Sequence, residues 1–433
     1  MTWPERPAAD WLGVDEARAR VLAMVSPLPS EQVPLAQALN RALASPIVAA
    51  ATLPPWDNSA MDGYAVRGAD LAGALPDRPI ELRVVGEARA GVRWTGEVGR
   101  MEAVRIMTGG PIPQSADSVV RVEDTDREAR AGRVLVRSER DRGKNVRPGG
   151  QDMRPGDRLL EAGEVLGPGG LAAAAAAGLA EVTVHRRPRV VVLTSGDELR
   201  GSDRYDDVRE GRGIPDTNAP LLLAAAAELG AEATSLGPVR DEVAAVRERL
   251  EAARAGDADL LVTVGGASMG GTDLFREVLS DMGLAPDFWR IRMRPGSPFS
   301  AGLLPRKDGR ALPVLGLPGN PASAYVTFHL FVRAALLRLA GHRHTGLPAV
   351  NALAGATLVG GGALTHFLRV QVESKDGAFV VNLTGPQGSG LVSGLARADG
   401  FAVVPEGVDQ IPAGAPVTVL LLRPLAASDG RAS

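Results

Sequence analysis

The sequence predicts a multidomain α/β protein in which a central, mostly parallel sheet covered on both faces is flanked by β-rich modules. Three observations carry that reading. The chain has 433 residues, enough for two to four domains at roughly 100–200 residues each. Between about 186 and 340, near-continuous apolar runs alternate with helical patterns, as expected of parallel strands that need helices on both faces. On either side of that stretch the texture changes to short alternating runs broken by Gly, Pro and Asp, which reads as β-rich.

The elements follow in order. Asp15–Met24 (DEARARVLAM) spaces its apolar residues for a short amphipathic helix, and prolines at 27, 29 and 34 end it. From Pro54 to about Asp141, runs such as Ile80–Val85 and Val134–Val136 predict a small all-β module. An Ala-rich helical segment and the strand-like Glu181–His185 come next. Arg189–Leu193 opens the α/β stretch. Asp216-Thr217-Asn218 before Pro220 starts a helix that Gly230 stops. Ala231–Leu236 reads as strand, Asp241–Ala255 as helix, Asp259–Val264 as strand and Asp273–Met282 as helix. Pro313–Leu317 is a strand, and Pro321–Leu339 a long apolar helix. Arg343–Pro348 is a linker. His366–Val372, Phe379–Leu383, Phe401–Val404 and Val417–Leu422 form a last β-rich module, and the tail from 426 to 433 reads as disordered.

Composition narrows the function. The net charge is −3, which argues against a nucleic-acid binder, since that needs a basic face. Aromatic residues are only 4%, too few for base-stacking platforms. At 45% hydrophobic and 23% charged the chain is globular. With no cysteine, disulfides, thiolate metal sites and cysteine nucleophiles are excluded. No apolar run approaches the ~20 residues of a membrane span. A soluble, cytoplasmic protein is expected. The five histidines are scattered without an HExxH spacing; His329, in the apolar helix, reads as a core residue.

The chemistry concentrates where strands should end. Thr194-Ser195-Gly196-Asp197-Glu198 follows the first strand of the α/β stretch. Gly265-Gly266-Ala267-Ser268 and the residues up to Asp273 follow the third. Pro318-Gly319-Asn320-Pro321 follows the last and opens a helix. Small residues, exposed N–H groups and helix starts suit phosphate or another oxyanion. Acidic residues at these loops, Asp197, Glu198, Asp216, Asp241 and Asp273, suit Mg²⁺ beside phosphate. Asp216, Asp241 and Asp273 stand near helix starts, and taken singly Asp216 and Asp241 read better as helix caps. Two further segments are chemically dense: 54–66 (PPWDNSAMDGYAV) and 107–113 (MTGGPIP).

Together these segments resemble the molybdopterin molybdenumtransferase family, whose members insert molybdenum during molybdenum cofactor biosynthesis. The matching stretches are PPWDNSAMDGYAV (54–66), MTGGPIP (107–113), GKNVRPGGQDMRPGD (143–157), LTSGDEL (193–199), DTN (216–218), GGASMGGTD (265–273), RPGSPF (294–299), GLPGNPAS (316–323) and GPQGSGLVSGLARADGFAVVPEG (385–407). They occur in family order. The resemblance implies a discontinuous linker-like domain (1–53 and 144–185), an inserted β-rich domain (54–143), an α/β molybdopterin-binding domain (186–340) and a C-terminal β-barrel (346–425). It implies a homodimer whose active sites are each completed by the partner's second domain. The implied substrates are adenylylated molybdopterin and molybdate; Mg²⁺ assists and AMP is released. An adenylyltransferase would act upstream, with apo-molybdoenzymes downstream.

Residue by residue, the resemblance assigns Asp62, Thr108, Glu198, Asp241 and Asp273 to catalysis, with Glu198, Asp241 and Asp273 holding metal. Cofactor-binding positions are Thr194, Ser195, Gly196, Asp197, Gly265, Gly266, Ser268, Pro318, Gly319, Asn320 and Pro321. Molybdate would meet Arg294, Ser297, Pro298, Arg369 and Ser389. Two departures stand out. Many members carry a second lysine where this chain has Ser297, and Arg292 is a candidate to replace its charge. Gly271-Thr272 stands where many members carry an acidic residue and an aromatic. Tungstate insertion and a non-catalytic scaffold are the competing readings.

Overall fold

Arg189–Thr194 is the strand that organises the molecule. It is flanked by Glu232–Ser235 and Leu260–Val264, both parallel to it, and Leu260–Val264 is parallel in turn to Ala311–Leu317. The computed structural model describes residues 10–89, 91–265 and 274–425. The expected disordered tail, 426–433, lies outside them, as do Gly266, Ser268, Gly271, Thr272 and Asp273. Every position of Leu260–Val264 is buried, as a central parallel strand requires. Its alternate residues face opposite layers. Leu260 and Val262 pack with helix Asn218–Glu228 and the helical run from Pro321; Leu261 packs with Val243–Ala255 and Leu274–Asp281. At roughly 1.5–3 kcal/mol per buried aliphatic side chain, these two layers dominate the stabilisation of the sheet.

The sheet has six strands, and two of them escape the sequence reading. Ser300–Pro305 joins Ala311–Leu317 antiparallel, and Ala285–Phe288 joins Ser300–Pro305 antiparallel at the sheet margin. Their sequences, SAGLLP and APDF, have no β-branched residue and contain proline, which only an edge or strand end tolerates. The parallel part is therefore four strands with an antiparallel extension. The long apolar helix is also modified. Pro321–Thr327 and Arg333–Leu339 are α-helical, but Phe328–Val332 forms a π-helical turn, a widening that is rare outside functional or crowded helices.

The amino-terminal segment serves two units. Helix Val14–Ala23 places Ala17 and Val21 in the core of the α/β unit. After it, Ser30–Pro34 pairs antiparallel with Glu181–His185, and Ile47–Val48 with Arg158–Leu160. Between these partners lies a five-stranded sheet in the order Ser118–Arg121, Gly63–Val66, Glu102–Ile106, Ile80–Ala88, Arg133–Val136. At the carboxyl end of the chain, Ala349–Ala354, Thr365–Lys375, Ala378–Leu383, Gly400–Val404 and Pro416–Leu421 close into a five-stranded barrel. Met293–Arg294 pairs with Thr365 and His366 and so ties the α/β unit to the barrel. Among the described residues, no helix is long and apolar enough to cross a membrane.

Candidate active site

Strand register builds the site. Thr194 lies beside Val264, and Val264 beside Leu317. The next residues of the three strands, Ser195, Gly265 and Pro318, thus leave the sheet side by side at its carboxyl edge, where open α/β sheets bind ligands. The loops touch. Gly265 has φ +128° and no room for a side chain: a Cβ would stand 2.7 Å from the Ser195 hydroxyl. Asn218 Nδ2 donates to the Gly319 carbonyl at 2.7 Å, which bolts the third loop to the helix after the first. That helix start is itself fixed by Asp216. Its Oδ1 accepts the N–H groups of Asn218 and Ala219, and its Oδ2 accepts the buried Thr194 hydroxyl at 3.0 Å. Asp216 is therefore a strut between strand and helix. Asn218 is a second strut that reading it as a helix start does not reveal; the signal was present in the amide following Asp216-Thr217.

The acidic residues gather on the same edge. The loop after Glu232–Ser235 runs alongside the first loop, with Val239 N–H donating to the Thr194 carbonyl and Gly196 N–H to the Val239 carbonyl. This brings Asp241 to Asp197, whose Oδ1 accepts the Asp241 N–H at 3.2 Å. The Glu198 carboxylate folds back over Gly196, where a Cβ would lie 2.7 Å from it. Asp197, Glu198 and Asp241 are all exposed. Among the described residues there is no group of three His, Cys, Asp or Glu able to cage a metal ion. One or two carboxylates suffice for Mg²⁺ when phosphate and water complete its shell, so this donor set fits a substrate-bridged cation.

The barrel contributes the cationic side. Arg369, on strand Thr365–Lys375, is 0% exposed. Its Nη2 donates to the carbonyls of Pro386 and Gly388, while Nε and Nη1 have no protein partner. No carboxylate pairs with it among the described residues, and burial pushes its guanidinium below the usual arginine range. A buried cation without a counter-charge is costly, and an oxyanion would repay that cost. The same loop ends in Ser389, whose carbonyl accepts the N–H of Ala322 at 2.9 Å, near the start of the helix that opens at Pro321. Asn320, at that helix start, makes no side-chain cap. Arg294 is exposed beside His366, and burial and the Arg294 charge hold the His366 ring below the usual histidine range.

Two expectations about the Arg294 loop change. Ser297 is only 3% exposed, and its hydroxyl donates to the Ile291 carbonyl at 2.8 Å. It closes its own loop and offers no donor to molybdate in this conformation. Pro298 is half-buried beside it. Arg292 does not replace the missing charge, because its guanidinium pairs with Glu406 at 3.1 Å and donates to the Trp11 carbonyl.

Asp62 and Thr108 form a separate constellation. Asp62 Oδ1 accepts both the Thr108 N–H at 2.7 Å and its hydroxyl at 2.9 Å. These two bonds, the backbone one first, hold the Asp62 carboxyl below the usual range. Gly63 next to it is required, since a Cβ would lie 1.9 Å from the Val120 carbonyl oxygen. The pair sits on the five-stranded sheet. Among the described residues no hydrogen bond or ion pair joins it to the strand-end loops of its own chain.

The chain is similar to known proteins along most of its length. Residues 12–178 match the family model described as MoeA N-terminal region (domain I and II). Residues 191–338 match a "probable molybdopterin binding domain" and 352–422 the MoeA C-terminal region (domain IV). The chain is 34% identical over 397 residues to molybdopterin molybdenumtransferase 2 of Mycobacterium tuberculosis H37Rv, covering 89% of this chain and 94% of that protein. It is 33% identical over 416 residues to the molybdopterin molybdenumtransferase of Bacillus subtilis, covering 95% and 94%. The solved molybdopterin biosynthesis moeA protein of Pyrococcus horikoshii OT3 superposes with a TM-score of 0.81 at 27% identity, covering 95% of this chain and all of that one. The chain belongs to the molybdopterin molybdenumtransferase family.

Proposed function

We propose that this protein inserts molybdenum from molybdate into adenylylated molybdopterin, hydrolysing the adenylate and releasing AMP and molybdenum cofactor. The observation that supports this best is the alignment of three small-residue loops at one sheet edge, with the barrel loop bearing Ser389 seated on the last of them. With the Ser195 and Gly196 N–H groups taken by the Val264 and Val239 carbonyls and that of Ala322 by Ser389, the loops at Asp197–Glu198 and Gly319–Asn320 would receive the phosphates and the pterin. Thr194 and Asp216 hold that floor rigid, so little reorganisation is needed on binding. Arg369 and Arg294 would neutralise the tetrahedral dianion, and Ser389 would position it. The cofactor's own sulfurs ligate molybdenum, so the absence of cysteine is no obstacle.

A divalent cation such as Mg²⁺, when bound, would withdraw charge from the phosphoanhydride; Glu198 and Asp241, with Asp273, would hold it. Asp62, kept ionised by Thr108, would orient the water that attacks the adenylate phosphorus. The water oxygen bonds to phosphorus as the anhydride P–O bond breaks, and the proton passes to solvent. Because no hydrogen bond or ion pair among the described residues joins the pair to the loops of its own chain, a second copy would supply it, making the working form a homodimer. An adenylyltransferase would supply the substrate, and apo-molybdoenzymes would consume the product.

The test is AMP release from adenylylated molybdopterin by purified protein with Mg²⁺, with and without molybdate. Molybdate-dependent release, with cofactor that activates an apo-molybdoenzyme, is expected. Release driven by tungstate and not by molybdate would replace the substrate. Binding of adenylylated molybdopterin without AMP release by either oxyanion would favour a scaffold.

A further inference from the structure

Between Glu198 and Asp216, both at the strand-end site, the chain makes an excursion with no hydrophobic core. No residue from 197 to 217 is buried. Its regular structure is slight. Leu199–Arg200 pairs with Ile214–Pro215 over two positions, and the helix Tyr205–Arg209 has five residues. Elements so short are not stable alone in water. Yet this excursion holds the backbone of the two acidic residues that precede it. Arg200 Nη1 donates to the Asp197 carbonyl at 2.7 Å, and the Ile214 N–H donates to the Glu198 carbonyl at 2.8 Å. Gly213 lets the two strands close, since a Cβ there would lie 2.5 Å from the Glu198 carbonyl oxygen.

One carboxylate orders the excursion. The Asp207 side chain is 15% exposed and meets Arg200, Arg204 and Arg212. Its Oδ1 accepts Arg212 Nε at 3.2 Å and Nη2 at 2.6 Å. Its Oδ2 accepts Arg204 Nη2 at 2.6 Å and lies 3.4 Å from Arg200 Nε, within ion-pair range but not aligned for a hydrogen bond. The Asp207 carbonyl accepts the Arg212 N–H at 2.7 Å. Arg200 in turn grips the loop: besides Asp197, it donates to the carbonyls of Leu199 at 2.9 Å and Arg212 at 2.6 Å. Exposed ion pairs contribute little singly, and the neighbouring Arg209–Asp206 pair, with side chains 73% and 84% exposed, is of that kind. Asp207 differs because three guanidinium groups converge on a shielded carboxylate. Without it Arg200 and Arg204 have no carboxylate, and Arg212 keeps only Glu210.

We propose that Asp207 is a positioning residue for the cation site. By fixing Arg200 and Arg212 it sets where the Asp197–Glu198 backbone stands, and with it the Glu198 carboxylate. The inference rests on the reading above that Glu198 holds a divalent cation. Groups that orient a metal ligand typically change metal affinity 10–100-fold when removed.

The test compares full-length parent, Asp207→Ala, Arg200→Met and, as control, Asp206→Ala. The probe is Mn²⁺ titrated in the presence of AMP and followed by the EPR signal of the free ion, which needs no turnover. Asp207→Ala and Arg200→Met are each expected to weaken Mn²⁺ binding about 10-fold, with Asp206→Ala equal to the parent. In AMP release, Asp207→Ala should raise the half-saturating Mg²⁺ about 10-fold and leave the rate at saturating Mg²⁺ within about 2-fold. Hydrogen exchange separates positioning from unfolding. In Asp207→Ala the Ile214 and Asp216 amides should exchange at least about tenfold faster, and those of Leu260–Val264 at the parental rate. Parental Mn²⁺ affinity in Asp207→Ala or in Arg200→Met would overturn the proposal. Equal acceleration of exchange in Leu260–Val264 would overturn it too, by making Asp207 a residue of the general fold. A parent that binds no Mn²⁺ would overturn it together with the cation reading. A parent that binds Mn²⁺ but releases no AMP would sink the proposed reaction alone, and the Mn²⁺ affinities of the variants would still decide the role of Asp207.

Discussion

Two arginines at the junction of the α/β unit and the barrel have opposite fates. Arg292 is half-buried, paired with Glu406 and bonded to the Trp11 carbonyl. It staples the amino-terminal segment to the barrel, and its charge is spent. Arg369 is fully buried, bonded only to the carbonyls of Pro386 and Gly388, and keeps two nitrogens without a protein partner. Folding alone does not call for a cation in that position, because an apolar residue of similar volume would be as stable or more so. The difference separates a charge that serves the fold from one left available to a ligand.

The sharpest way to break the comparison is to replace each arginine by methionine. Arg369→Met is expected to reduce molybdate-dependent AMP release by roughly 100-fold or more, as the loss of a positioned charge does. Its stability should stay within about 1 kcal/mol of the parent. Arg292→Met should do the reverse, costing about 1 kcal/mol in urea unfolding with AMP release within about 2-fold. If Arg369→Met unfolds the protein, or if both variants lose activity equally, the division between the two arginines fails.

Asp62 extends the comparison to the five-stranded sheet, where one oxygen of an exposed carboxylate accepts both Thr108 bonds. It is exposed, so removing it should cost function and not fold. Asp62→Ala is expected to lower AMP release by roughly 100-fold while the protein keeps its size in solution. Asp62→Asn is more informative. Its Oδ1 can still accept both Thr108 bonds, so retained loop geometry with lost activity would assign the effect to the negative charge. Near-parental turnover in both variants would remove Asp62 from the reaction.

Much of this was legible in the sequence, and the exceptions have a common cause. The strand-end loops could be found because Leu193-Thr194, Val264-Gly265 and Leu317-Pro318 each mark a local switch from an apolar run to small polar residues. That these three lie side by side depends on strand order, which no local pattern encodes. Arg369 could be named from the resemblance, but its lack of a counter-charge is a property of what the barrel places around it. Ser297 shows the reverse. Its hydroxyl looks available in the motif and is consumed by Ile291 once the chain turns. The edge strands Ala285–Phe288 and Ser300–Pro305 were missed because a sheet margin accepts residues that strand propensity disfavours.

Histidines test the same contrast through pH. His329 and His342 are both depressed, to about 3 and about 4, by burial first and then by the Arg333 charge. Folded, they stay neutral; unfolded, they take up protons below about 6.5. The unfolded state therefore binds more protons between these limits, and stability falls as pH drops below about 6.5. Each group is expected to remove about 2 kcal/mol of stability between pH 7 and pH 5. Urea unfolding at the two pH values should show a smaller loss in His329→Phe than in the parent. An unchanged pH dependence would mean that His329 is solvated in the folded protein.

The smallest effect is expected at Ser297, and it bears on how the Arg294–Pro298 loop works in this chain. Because the hydroxyl is buried and bonded to the Ile291 carbonyl, it substitutes for nothing that the second lysine of other members would do. Ser297→Ala removes one internal hydrogen bond and leaves the carbonyl unpaired, which costs about 1 kcal/mol and should leave the molybdate concentration dependence of AMP release unchanged. Ser297→Lys cannot simply restore a basic loop. A buried 3%-exposed position must expel the longer side chain, and overpacking there costs about 1–3 kcal/mol. If Ser297→Ala instead raised the molybdate requirement severalfold with little change in stability, the hydroxyl would have to leave Ile291 during turnover. The Arg294–Pro298 loop would then open to its substrate, and Arg294 would be drawn to the oxyanion by that motion.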